Sequence, residues 1–167
     1  MAKSSPKKAA PLHLKTVAES RVDSRKLVMP DQINADGRLF GGCVMGWIDK
    51  VAAMSAQLHA ECEVVTARID NLTFVAPIML GDHVILHSTV TYVGRTSMEI
   101  VVDVWKENPI KREKLPATKA YLTFVAIDST GKPKAIPGLK LRNDEERAAA
   151  EAAKVRVQKR LAERAQT

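Results

Sequence analysis

The chain has 167 residues, 46% of them hydrophobic, enough for one domain with a real core. Charged or polar residues interrupt every apolar run and the start of the chain has no hydrophobic leader, so neither a membrane span nor a secretory signal is expected. The net charge of +7 belongs to the ends: residues 1–26 carry seven Lys/Arg and two acids, residues 140–167 carry eight and five, and the body between carries 11 and 12, which argues against a nucleic-acid partner.

Residues 1–12 read as a mobile basic arm, 13–140 as the folded domain and 141–167 as a charged helical tail. A short helix is expected within 13–23, then a strand from Ser24 to Met29 that Pro30 ends. A polar turn (Asn34, Asp36, Gly37) leads through Leu39 and Phe40 into Gly41-Gly42. The apolar run that follows predicts a helix from about Gly42 to His59, roughly 27 Å long. It is apolar nearly all round and so should be buried. At 100° per residue, Val44, Trp47, Val51, Met54 and Leu58 form a bulky stripe expected to meet a sheet. Gly42, Gly46, Ala53 and Ala56 share a small-residue face with Asp49.

Further strands are expected over Glu63–Phe74, His83–Val93, Met98–Glu107 and Ala117–Asp128. In the first of these, Val65, Ala67 and Ile69 alternate with Thr66, Arg68 and Asp70. Val93-Gly-Arg-Thr-Ser97 makes a tight hairpin, and the charged stretch Asn108–Pro116 reads as a loop. Short connections between successive strands predict an antiparallel sheet, α+β in class, curved around the one buried helix. One curved sheet covers one side of a helix, so the face around Asp49 invites a second copy. Over 143–165, Ala, Glu, Lys and Arg favour a peripheral helix capped by Asn143.

No P-loop, dinucleotide loop or Gly-x-Ser-x-Gly elbow is present. His13, His59, His83 and His87 make no zinc set. Cys43 and Cys62 read as free thiols of a reducing cytoplasm. What remains is Asn34, the Gly-Gly helix start and Asp49. A helix N-terminus offers free N–H groups to a developing oxyanion. A carboxylate in a partly dry site can act as base on water, and an Asn side chain can orient it. Together these suit acyl transfer to water. Each residue also has a structural use: Gly41-Gly42 in tight packing, Asn34 in a turn, Asp49 at an interface.

The run Met29-Pro-Asp-Gln-Ile-Asn-Ala-Asp-Gly-Arg-Leu-Phe-Gly-Gly-Cys-Val-Met-Gly-Trp-Ile-Asp49 closely resembles the opening of hotdog-fold acyl-CoA thioester hydrolases of the cytosolic, long-helix branch. The likeness continues through Val64–Ile78, Gly81-Asp-His-Val, Tyr92–Ile100, Leu122–Asp128 and Lys134-Ala-Ile-Pro137. It implies a hotdog fold and dimers with sites at the subunit interface, assembled further as trimers of dimers. By the family pattern Asn34 and Asp49 are catalytic and come from opposite subunits, Asp49 either activating water or attacking the thioester itself. Phe40, Gly41 and Gly42 would lie along the thioester. Gly94, Arg95, Thr96 and Ser97 match the loop that meets coenzyme A, with Lys134 a further phosphate partner. No cofactor or metal is implied, since coenzyme A is part of substrate and product. Hotdog dehydratases use an active-site His, and none falls between Asn34 and Asp49. The alternative is an acyl-CoA-binding sensor on the same fold that performs no chemistry.

Overall fold

Strand segments on both sides of the long helix become a five-stranded antiparallel sheet. The computed structural model describes residues 13–70 and 72–165, and the arm expected over 1–12 lies outside them. In chain order come β1 (Leu14–Thr16), α1 (Val17–Ser20), β2 (Val22–Leu27), a 3-10 turn (Pro30–Gln32) and α2 (Gly41–Ala60). Then follow β3 (Glu63–Ile69), β4 (His83–Val93), β5 (Ser97–Asn108), β6 (Glu113–Ile127), β7 (Gly138–Lys140) and α3 (Asp144–Ala165). The sheet order is β2-β4-β5-β6-β3, which leaves β2 and β3 as edges, while β1 and β7 form a separate parallel pair.

All five strands touch α2, so the sheet wraps the helix as expected of a hotdog fold. Met98, Ile100, Val102 and Val104 of β5 point inward with Leu122 and Phe124 of β6, and close on Val44, Ile48, Val51 and Ala52 of α2. Each such side chain, fully buried, contributes about 1.5–3 kcal/mol. At its C-terminal end α2 stops where Glu61 turns left-handed at φ 54°, donating its N–H to Gln57 at 2.9 Å. The Lys15 ammonium adds a donor to the Leu58 carbonyl and an ion pair to Glu61.

Four expectations are corrected. The face of α2 on the sheet is Val44, Ile48, Val51, Ala52, Ser55, Ala56 and His59, and Met54 and Leu58 of the predicted stripe stay 43% and 48% exposed. Small residues (Ala52, Ala56, Ala60) let the helix approach the strands closely, which turns the bulky flank outward. β3 stops at Ile69 and its phase is reversed: Val64 joins the core, whereas Val65 is 44% exposed. A bulge between Thr66 and Arg68, where the register to β6 shifts, breaks the alternation. Asn108–Pro116 is a tight connection in a long hairpin, with strand to Asn108 and again from Glu113; Pro116 is tolerated because the register shifts at Trp105, opposite it. Finally, the strand expected over Ser24–Met29 runs from Val22 to Leu27, while α3 lies at the periphery as expected, one continuous helix on the outer face of the sheet with Ala150 and Ala153 buried.

Candidate active site

The start of α2 is left chemically open. Phe40 occupies the N-cap position and no side chain caps the helix, so the N–H groups of the first turn point out without a side-chain acceptor. Gly41 and Gly42 are the first helical residues, set between two exposed rings: a Cβ on Gly42 would overlap the Phe40 ring, and one on Gly41 would lie 3.6 Å from Phe74. A side chain at Gly42 would force the Phe40 ring to move. Beside them opens a cavity of about 490 Å³, lined by Leu39, Gly41, Val44, Phe74, Val75 and Ile78, apolar enough for a hydrocarbon chain.

Asp49 lies on the third turn of α2, roughly 12 Å along the axis from Gly41. It is half-buried, and Thr66 of β3 donates its hydroxyl to Asp49 Oδ1 at 2.8 Å. That bond fixes one carboxylate oxygen and leaves Oδ2 available. Of the small residues sharing its face, Ala56 is buried, Gly46 and Ala53 are half-buried, and Gly42 is exposed.

Asn34 is exposed in the turn before the helix. Its backbone N–H bonds Arg38 at 2.7 Å and its carbonyl accepts from Gly37 at 2.9 Å, which leaves the side chain free of the turn's own bonding. Among the described residues no hydrogen bond joins Asn34 to Asp49 within one chain.

The hairpin residues Gly94 to Ser97 sit at one end of the sheet. Gly94 donates to Ser97 at 2.8 Å, Ala126 to the Thr96 carbonyl at 2.9 Å and Ile136 to the Arg95 carbonyl at 3.1 Å. Lys134 donates its backbone N–H to Ala126 at 2.9 Å, so the strand pairing draws Arg95 and Lys134 to the same end, both exposed. The Lys134 ammonium lies in the field of the Asp128 carboxylate, which it helps, after the hydrogen bonds from Thr130 and Lys132, to hold below the usual range.

Residues 36–112 match the Thioesterase superfamily. An uncharacterized acyl-CoA thioester hydrolase of Bacillus subtilis is 43% identical over 77% of this chain and 74% of its own length. Another, from Zymomonas mobilis, is 42% identical over 68% of this chain and 76% of its own. The chain belongs to the acyl-CoA thioester hydrolases of the thioesterase superfamily. Among solved structures, an acyl-CoA hydrolase of Staphylococcus aureus in complex with butyryl-CoA, CoA and CoA disulfide superposes with a TM-score of 0.85 at 37% identity, over 92% of this chain and 93% of that one. A hexameric acyl-CoA thioesterase gives 0.88 at 38% identity, over 92% and 99%. The Staphylococcus aureus hydrolase has also been solved with alanine replacing an asparagine, an aspartate 15 residues later, and a threonine 17 residues after that.

As a member of these hydrolases the chain has two site features that sequence reasoning missed. The residue pattern sets Thr66 on the polar face, opposite to Val65, Ala67 and Ile69, whereas its pairing with the buried Phe124 turns it toward α2. Phe74 was placed in a strand, whereas it lies in irregular chain against Gly41.

Proposed function

We propose that this chain hydrolyses acyl-CoA to a free carboxylic acid and CoA, at sites completed by a second copy of itself. The observation that carries the reading is the Thr66–Asp49 hydrogen bond, on a helix whose start is left uncapped. The spacing of Asn34, Asp49 and Thr66 repeats that of the three residues replaced in the Staphylococcus aureus hydrolase.

In the proposed step the thioester carbonyl lies at Gly41 and Gly42, whose N–H groups receive the developing oxyanion. Asp49 of the other subunit, held at one oxygen by its own Thr66, takes a proton from water as that water attacks the carbonyl carbon. The tetrahedral adduct collapses, the C–S bond breaks, and the proton passes from Asp49 to the departing thiolate. Asn34, in the turn of the subunit that supplies Gly41 and Gly42, orients the water or the carbonyl. The apolar cavity beside Phe74 receives the acyl or pantetheine chain. Arg95 and Lys134, both exposed at one end of the sheet, suit the phosphates of the CoA moiety, Arg95 by its forked donors. No resident cofactor is needed. The exposed apolar residues Met45, Met54, Leu58, Val65 and Phe40 support association of copies, and hexameric relatives support a trimer of dimers. The free thiols Cys43 and Cys62 fit a cytoplasmic location.

The test is thiol release from a panel of acyl-CoAs, short to long, with Asp49→Ala in parallel. Wild-type turnover and a loss of about 10² to 10⁴-fold in a folded Asp49→Ala protein are expected. CoA-ester binding without turnover would establish the sensor reading instead.

A further inference from the structure

A chain of charges crosses the outer face of the sheet, on the side away from α2, and the reaction proposed above uses none of it. It begins at Glu99 of β5, 1% exposed. Glu99 accepts from the Thr91 hydroxyl at 2.9 Å and from Arg156 Nη2 at 2.7 Å. It also accepts from Arg160 Nη2 at 2.5 Å. The second arm of the same Arg160 guanidinium, Nη1, reaches Asp70 Oδ2 at 2.6 Å. Asp70 in turn pairs with Arg68 Nε at 2.9 Å, and Arg68 Nη2 donates to Glu163 at 3.0 Å. The network therefore runs from the buried middle of the sheet, through α3, to the end of the edge strand β3.

Two features give that path a purpose. β3 is an edge strand whose register to β6 breaks between Thr66 and Arg68, so Ala67 bulges with no partner. Thr66 is the last residue in register before the bulge; it pairs with the buried Phe124 and so faces α2, where it is aimed at Asp49. On the far side of the bulge, β3 is tied down by Arg68, by the backbone N–H of Asp70 to the Tyr121 carbonyl at 2.9 Å, and by Arg160. Arg160 is the member that joins the buried anchor to this edge. Its side chain is 11% exposed, so its ion pairs are less screened than those of a surface arginine. Glu99 keeps Arg156 when Arg160 is removed, so loss of Arg160 releases Asp70 without stranding a buried charge.

We propose that Arg160 is a positioning residue of the hydrolase: by clamping Asp70 to Glu99 it fixes the end of β3 against β6 and so holds Thr66 on Asp49. The proposal rests on the role given to Thr66 above. It makes α3 part of the catalytic apparatus although no residue of α3 touches the thioester site.

A double-mutant cycle on the full-length chain tests it. Arg160→Ala lowers kcat about tenfold, as expected of a small displacement at the reacting atoms, with KM for the acyl-CoA within about twofold. Thr66→Ala lowers kcat in the same way, and the double variant is no slower than Thr66→Ala alone. Arg160→Lys, which can hold one carboxylate, recovers part of the loss. An Arg160→Ala enzyme with wild-type kcat overturns the proposal, as do losses that multiply in the double variant. Should Arg160→Ala fail to fold, Asp70→Asn enters the same cycle and decides in the same way. A silent Thr66→Ala beside an inactive Asp49→Ala sinks the clamp and leaves the hydrolase reading standing.

Discussion

His59 is a titratable residue used as a neutral core side chain. It is 0% exposed, with Nδ1 2.9 Å from the Ser20 hydroxyl and Nε2 3.0 Å from the Pro137 carbonyl. The neutral ring satisfies both, Nε2–H donating to the carbonyl and Nδ1 accepting from the hydroxyl. Burial holds its pKa below the ordinary 6.5, with the Pro137 hydrogen bond opposing that shift. The unfolded chain therefore takes up a proton before the native one does. Stability from this residue is complete above pH 6.5, falls as pH drops through that value, and levels off below the folded pKa. Thermal melting followed from about pH 8 to about pH 5 should fall further for wild type than for His59→Gln. Parallel curves would mean that His59 enters the native state charged. Neither this role nor that of Thr66 was legible in the sequence. The partners of His59 come from 39 and 78 residues away, and the aim of Thr66 is set by its pairing with Phe124 of a distant strand.

Whole elements were more legible than the faces they present. The long helix was expected within a residue at each end, because a Gly-Gly start and an apolar run mark its limits. Its orientation was missed because a helix apolar all round carries little phase information. The outer helix α3 shows the same division. Its start was readable from Asn143: the Asn143 side chain accepts the Glu146 N–H at 2.8 Å, and Glu146 reaches back to the Arg142 N–H at 2.6 Å. Its alanines looked too small to dock, yet Ala153 is wholly buried, since small side chains let α3 lie close on the outer strands while the arginine pairs hold it. An Ala153→Leu chain should lose about 1–3 kcal/mol by overpacking, read as a lower denaturant midpoint. An unchanged midpoint would mean that α3 stands off the sheet in solution.

At the scale of the molecule, one chain carries every proposed catalytic group but does not assemble them. Asp49 and Thr66 meet on one flank of α2, while Asn34 stands in the turn before the helix with no bond to either. The same region leaves Phe40, Met45 and Phe74 exposed, an apolar surface that a second copy would remove from water. If each site takes its Asn34 from one subunit and its Asp49 from the other, two inactive variants can repair one another. Asn34→Ala and Asp49→Ala, expressed separately, should each be nearly inactive. Mixed at random, half of the dimers pair one variant with the other, and each mixed dimer has one site with both residues intact. Co-expression should therefore restore about a quarter of wild-type turnover per chain. Separately purified variants should regain it only after dissociation and reassembly. A co-expressed mixture no more active than its parents, with mixed dimers demonstrated by differential tags, would place Asn34 and Asp49 in one subunit. The turn before α2 would then have to fold back onto its own helix when substrate binds.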